Sequence, residues 1–137
     1  MVPRLAIVLM LSCAQFVQPA KILGIFPTPS ISHQVVFRAL MKALAERGHE
    51  IVMMTPDPFE KTDNLTQIDV HDLSYAEWTK TNFANMKETE ITDSNLLKVL
   101  YKNMRVIGEM QMKTPDVQRI LNDPDLRFDL CFLEAIV

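Results

Sequence analysis

The sequence predicts an α/β fold built on a parallel sheet, and three observations carry that expectation. Short continuous apolar runs stand at residues 22–26, 51–55 and 128–133, the pattern of strands buried on both faces. An amphipathic stretch separates the first two, and strand, helix and strand within about 35 residues is the spacing of a right-handed βαβ unit. Proline or glycine punctuates the joints, at Pro27, Pro29, Gly48, Pro56, Pro58, Pro115 and Pro124, where each ends one element or starts the next.

Residues 1–20 read as a secretory leader. Arg4 supplies the positive start, residues 5–11 are an unbroken apolar run, and small residues come after it, the three parts of a signal peptide. The run is far shorter than the roughly 20 residues a membrane span needs. Residues 21–137 are then one domain. With 48% hydrophobic residues, 23% charged and only 3 Gly, it has the composition of a folded unit without repeats. Fourteen basic against 17 acidic residues give a net charge of -3 without a basic block, which excludes nucleic acid as an expected partner. Cys13 leaves with the leader and Cys131 has no mate. No internal disulfide is therefore expected, and Cys131 reads as a small buried hydrophobe inside the last strand. No spacing of His and Cys suggests a metal.

After the first strand, Pro27-Thr28-Pro29-Ser30 excludes helix, and Ser30 or Ser32 is placed to cap the first helix. That helix runs to about Arg47, with Val36, Leu40 and Leu44 expected on its inner face, Phe37 and Met41 flanking them, and Arg38, Lys42 and Glu46 outside. Gly48 supplies the left-handed stop. Residues 56–74 read as irregular, with a short strand near 67–70. A loose helix is expected over 75–86, and a stronger one from Asp93 or Ser94 through Leu97, Leu100, Met104 and Ile107. Phe83, Met86 and Tyr101 lie at helical spacing and are expected in the core. Pro115 opens a further helix with Val117, Ile120 and Leu121 on one face. Asp129 is expected to bond structurally at the start of the last strand. The chain stops soon after that strand, and a buried parallel strand needs helices on both its faces, so the domain is expected to be incomplete. Asn64-Leu65-Thr66 is a glycosylation sequon.

Two residues are candidates for chemistry. His33 comes after the first strand, in the turn into the first helix, and Glu134 comes after the last strand. Ligand sites of open α/β sheets lie beyond the carboxyl ends of such strands. A helix start favours a neutral imidazole that can accept a proton, and a carboxylate beside it can hold one tautomer. His49 and His71 read as structural or solvated. Pro27 to Ser32 contains no glycine, which argues against a phosphate-binding loop of the flavodoxin type.

Ile22-Leu23-Gly24-Ile25-Phe26-Pro27, Pro29-Ser30-Ile31-Ser32-His33, Ala43-Leu44-Ala45-Glu46-Arg47-Gly48-His49-Glu50 and Met54-Thr55-Pro56 resemble the start of insect UDP-glycosyltransferases. The resemblance runs from Lys21 onward and covers about a quarter of such a protein. It implies a GT-B arrangement of two Rossmann-like domains, of which this chain is the N-terminal, acceptor-side one. The UDP-sugar is the co-substrate, held in a donor domain that these residues do not include, and no metal is implied. His33 takes the position of the general base that deprotonates a hydroxyl of a small lipophilic acceptor, giving hexosyl transfer with inversion. Glu134 stands where the family usually carries an orienting aspartate. The family also implies the secretory pathway and an endoplasmic-reticulum membrane helix, which this sequence lacks. The alternative is a non-catalytic secreted lipophile-binding or vestigial module.

Overall fold

The computed structural model describes residues 18–80 and 93–135. Most of the expected leader lies outside them, as do Phe83, Met86 and the second half of the helix expected over 75–86. In chain order the elements are β1 (Lys21–Ile25), α1 (Ile31–Glu46), β2 (Glu50–Thr55), β3 (Leu65–Asp69), α2 (His71–Lys80), α3 (Asp93–Met112), α4 (Pro115–Asn122) and β4 (Leu130–Leu133). The four strands form one parallel sheet in the order β3-β2-β1-β4. This is the Rossmann-like order, with a switch point between β1 and β4 where the winding reverses.

Strand alternation divides the core between the two faces of the sheet. Ile22, Phe26, Ile51 and Met53 pack on one side with Met41 and Ala45 of α1, while Phe37 and Leu44 add partial cover. Val52, Met54, Ile68, Val70 and Val117 form the other core, with Leu73, Met112 and Ile120 against it. Fully burying a side chain such as Phe26 or Ile51 contributes roughly 1.5–3 kcal/mol. Gly24 sits where β1 passes beneath Phe26. A Cβ there would lie 2.6 Å from the edge of the Phe26 ring, and that ring is held by stacking on Phe37, centroid to centroid 4.2 Å. Gly48, at φ 89°, ends the turn after α1 as expected.

Five expectations are corrected. The buried face of α1 is Gln34, Met41 and Ala45, whereas Val36 and Leu40 are 67% and 38% exposed. Both stripes of this helix are apolar, and the sheet covers only one. β4 is an exposed edge strand, and Cys131 on it is exposed too, because nothing among the described residues lies beyond β4 in the sheet. Tyr101, Leu97 and Leu121 are exposed, although Met104, Ile107 and Val117 of the same expected stripes are buried. The short strand starts earlier, at Leu65. The helix after it also starts earlier, at His71, where the Asp69 carboxylate accepts the His71 N–H at 2.8 Å and sets the turn. Asp129 does bond at the start of the last strand, exchanging two hydrogen bonds with Lys21, and His49 accepts the Ala20 N–H.

Among the described residues no helix is long and apolar enough to cross a membrane.

Candidate functional site

The carboxyl ends of β1 and β4 deliver the two candidates to the same point. Ser30 holds the N-cap position of α1 in extended geometry, so α1 starts at once and presents His33 from its first turn at the sheet edge. β4 pairs with β1 through Ile25 and Leu133, and the Glu134 N–H continues the ladder to the Ile25 carbonyl at 3.0 Å. That register places the Glu134 side chain in the mouth of the switch point. Its Oε1 lies 3.0 Å from His33 Nδ1, and its Oε2 accepts the Thr28 N–H at 3.1 Å.

The two side chains have opposite exposures, 57% for His33 and 5% for Glu134. A buried carboxylate needs its oxygens satisfied, and here a backbone donor and a ring nitrogen do it. Because an ionised carboxylate only accepts, Nδ1 is the donor in this contact, and in a neutral ring the lone pair is then on Nε2. The arrangement can take a proton at Nε2 while the charge that forms on the ring meets a negative group on the other side. Among the described residues no three metal-ligating side chains come together.

Behind this pair lies a polar layer that neither spacing nor composition announces. Gln34, fully buried on α1, donates from Nε2 to the carbonyls of Phe26 and Thr28 at 3.3 and 2.9 Å and accepts the Thr55 hydroxyl at 3.0 Å. It ties the helix that carries His33 to the ends of β1 and β2. Gln34→Ala is expected to lower stability by about 2–3 kcal/mol, because it strands buried carbonyls and a hydroxyl. Urea unfolding checks this, and an unchanged midpoint would show that water replaces the amide. Gln111 of α3 plays a parallel part, donating to the Pro27 carbonyl and to the Ser74 hydroxyl, both at 2.8 Å, while Ser74 donates to the Val70 carbonyl. Thr28 Oγ1, Gln111 Oε1 and Asn103 Nδ2 are buried without a partner.

His71 is held in place rather than free. Its Nδ1–H donates to the Pro56 carbonyl at 2.6 Å, and its ring lies 4.6 Å from that of Tyr75. The Tyr75 phenol donates to Asp57. Burial first, then the hydrogen bond and charge of Asp57, push its pKa up to about 12. The folded state therefore favours the protonated phenol. That contribution to stability is fully present below the ordinary value of 10.0 and is lost as pH rises through about 12.

Known proteins of one kind match the chain. An ecdysteroid UDP-glucosyltransferase of Lymantria dispar multicapsid nuclear polyhedrosis virus is 33% identical over 136 residues, spanning 96% of this chain and 27% of the relative. The ecdysteroid UDP-glucosyltransferase of Lacanobia oleracea granulosis virus is 31% identical over 137 residues, 97% of this chain and 29% of its own. UDP-glucosyltransferase 2 of Dactylopius coccus is 38% identical over 118 residues, 81% of this chain and 21% of its own. The chain thus spans between a fifth and a third of the length of these curated relatives. No protein-family model and no solved structure matches it.

Proposed function

The chain belongs to the insect-type UDP-glycosyltransferases, and on that premise we propose that residues 21–137 form the N-terminal, acceptor-side domain of an inverting hexosyltransferase. His33 is its general base and Glu134 the carboxylate that positions the ring. The observation that carries this reading is the 3.0 Å contact between His33 Nδ1 and Glu134 Oε1 at the switch point of the sheet.

In the proposed reaction the acceptor hydroxyl lies against Nε2 of His33. The ring takes its proton as the oxygen attacks the anomeric carbon of the UDP-sugar. The bond from that carbon to the β-phosphate oxygen breaks on the opposite side, UDP leaves with the electron pair, and the configuration inverts. Glu134 holds the Nδ1–H tautomer before the transfer and faces the imidazolium after it.

A lipophilic acceptor suits the surroundings of the base. Val36 and Leu40 succeed His33 along the same stripe of α1 and are exposed, as are Ile31 and Val35 beside it. The names of the relatives make UDP-glucose the first donor to try and an ecdysteroid the first acceptor. The test is a transfer assay on a protein that carries this chain joined to a nucleotide-sugar-binding domain. Release of UDP matched by a glycosylated acceptor of inverted configuration is expected. Acceptor binding without any transfer would instead favour the non-catalytic lipophile-binding module.

A further inference from the structure

We infer that Asn64 is an N-glycosylation site, the acceptor of an oligosaccharide on the edge of the sheet opposite to the His33–Glu134 pair. Asn64-Leu65-Thr66 is the one Asn-x-Ser/Thr triplet in the sequence, and no proline stands in or directly after it. The structure puts it where an attached chain fits. Asn64 is exposed in the turn that leads into β3, at φ 63°, a left-handed geometry that asparagine tolerates better than most residues.

The amide is nearly free. Among the described residues its Nδ2 reaches only the Ala45 carbonyl, at a long 3.4 Å, and that contact uses one of two N–H groups, so the other can be replaced. Thr66, whose hydroxyl completes the motif, is exposed as well. An open groove of about 420 Å³ runs alongside, lined by Lys61, Thr62, Asp63, Leu65, Thr66 and Gln67, and gives the first sugar room without displacing a core residue. The strands are parallel and Asn64 precedes β3, whereas His33 and Glu134 come after β1 and β4. The length of a five-residue strand, roughly 16 Å, therefore separates the glycan from the reactive edge, and β3 is itself an edge strand that a glycan would screen from strand addition.

In the modification, the Asn64 amide nitrogen forms a bond to the anomeric carbon of a polyprenyl-diphosphate-linked oligosaccharide. The carbon–oxygen bond to the diphosphate breaks, the lipid diphosphate leaves with the electron pair, and the amide gives up one proton. The oligosaccharyltransferase of the secretory route supplies the catalysis. The inference rests on the leader expected over residues 1–20 and not on the roles of His33 and Glu134.

The test is translation of the full chain with microsomal membranes, then protease protection and digestion with peptide N-glycosidase. The expected product is protease-protected, migrates one glycan heavier than the untreated chain, and returns to the lower position on digestion. Asn64→Gln and Thr66→Val each remove the shift, while Thr66→Ser retains it. Thr66→Val leaves the left-handed asparagine untouched, so a folding defect of Asn64→Gln cannot mimic the result. A protected but unshifted chain overturns the site and leaves the leader standing. An unprotected chain overturns both, and a shift that survives Asn64→Gln places the glycan elsewhere.

Discussion

His33→Ala is expected to lower turnover by about 10²–10⁴-fold, the span that a positioned general base contributes, in a protein that joins this chain to a nucleotide-sugar-binding domain. The half-saturating concentration of UDP-sugar should stay where it is, since in the proposed reaction the ring meets the acceptor hydroxyl and not the nucleotide. The fold gives the variant little reason to fail. The His33 side chain is 57% exposed and among the described residues its one bond is to Glu134, which keeps the Thr28 N–H as a partner. A loss confined to turnover therefore reads as lost proton transfer rather than lost structure. The rate of the variant should also recover with rising pH or with added imidazole, because hydroxide or a free base then takes over the missing step. Turnover that survives the substitution removes His33 from the role and leaves the pair at the switch point a structural contact.

The visibility of this site in the sequence comes from where its residues stand. Short apolar runs mark the strands, and a reactive residue just past such a run falls at the carboxyl edge of a parallel sheet. His33 and Glu134 are legible on that ground, although 101 residues separate them. Glutamine carries no comparable signal. Gln34 and Gln111 look like surface residues on amphipathic helices, yet both are fully buried, because the segment after β1 turns the carbonyls of Phe26, Pro27 and Thr28 toward the helices, where the two amides donate to them. The faces of α1 show a different difficulty. Val36, Leu40 and Leu44 make as good an apolar stripe as Phe37, Met41 and Ala45, and periodicity alone does not say which one the sheet covers. The covered one is the stripe that lets Phe37 stack on Phe26. For Cys131 and β4 the composition of the strand suggests burial, but a strand's exposure depends on its neighbours in the sheet, and these are not local properties of its sequence.

Glu134→Gln tests whether the carboxylate positions the ring or only secures the loop, and turnover is expected to fall about 10–10²-fold, the scale seen when a metal-bound histidine loses the group that orients it. The substitution keeps size and shape, so the 3.1 Å bond from the Thr28 N–H survives on the amide oxygen. That leaves the amide NH2 facing Nδ1 of His33, and two donors cannot meet. The ring must then accept at Nδ1 and carry its proton on Nε2, the nitrogen that the proposed reaction needs free for the acceptor's proton. The opposite amide orientation restores the ring contact but sets the NH2 against the Thr28 N–H, so only the first orientation, with the ring in its Nε2–H tautomer, satisfies both sites. Two readouts separate positioning from structure. The imidazole nitrogen resonances of His33 should move from the Nδ1–H to the Nε2–H tautomer in this chain, without any donor domain present. In the joined protein, turnover should fall while the half-saturating concentrations of both substrates hold. Unchanged tautomer and unchanged turnover would leave Glu134 with the Thr28 bond alone. Glu134→Asp sharpens the point. With one methylene fewer, the carboxylate cannot span both His33 and Thr28 from the backbone position that β4 imposes, so turnover intermediate between wild type and Glu134→Gln is expected, together with a loosened 27–30 loop.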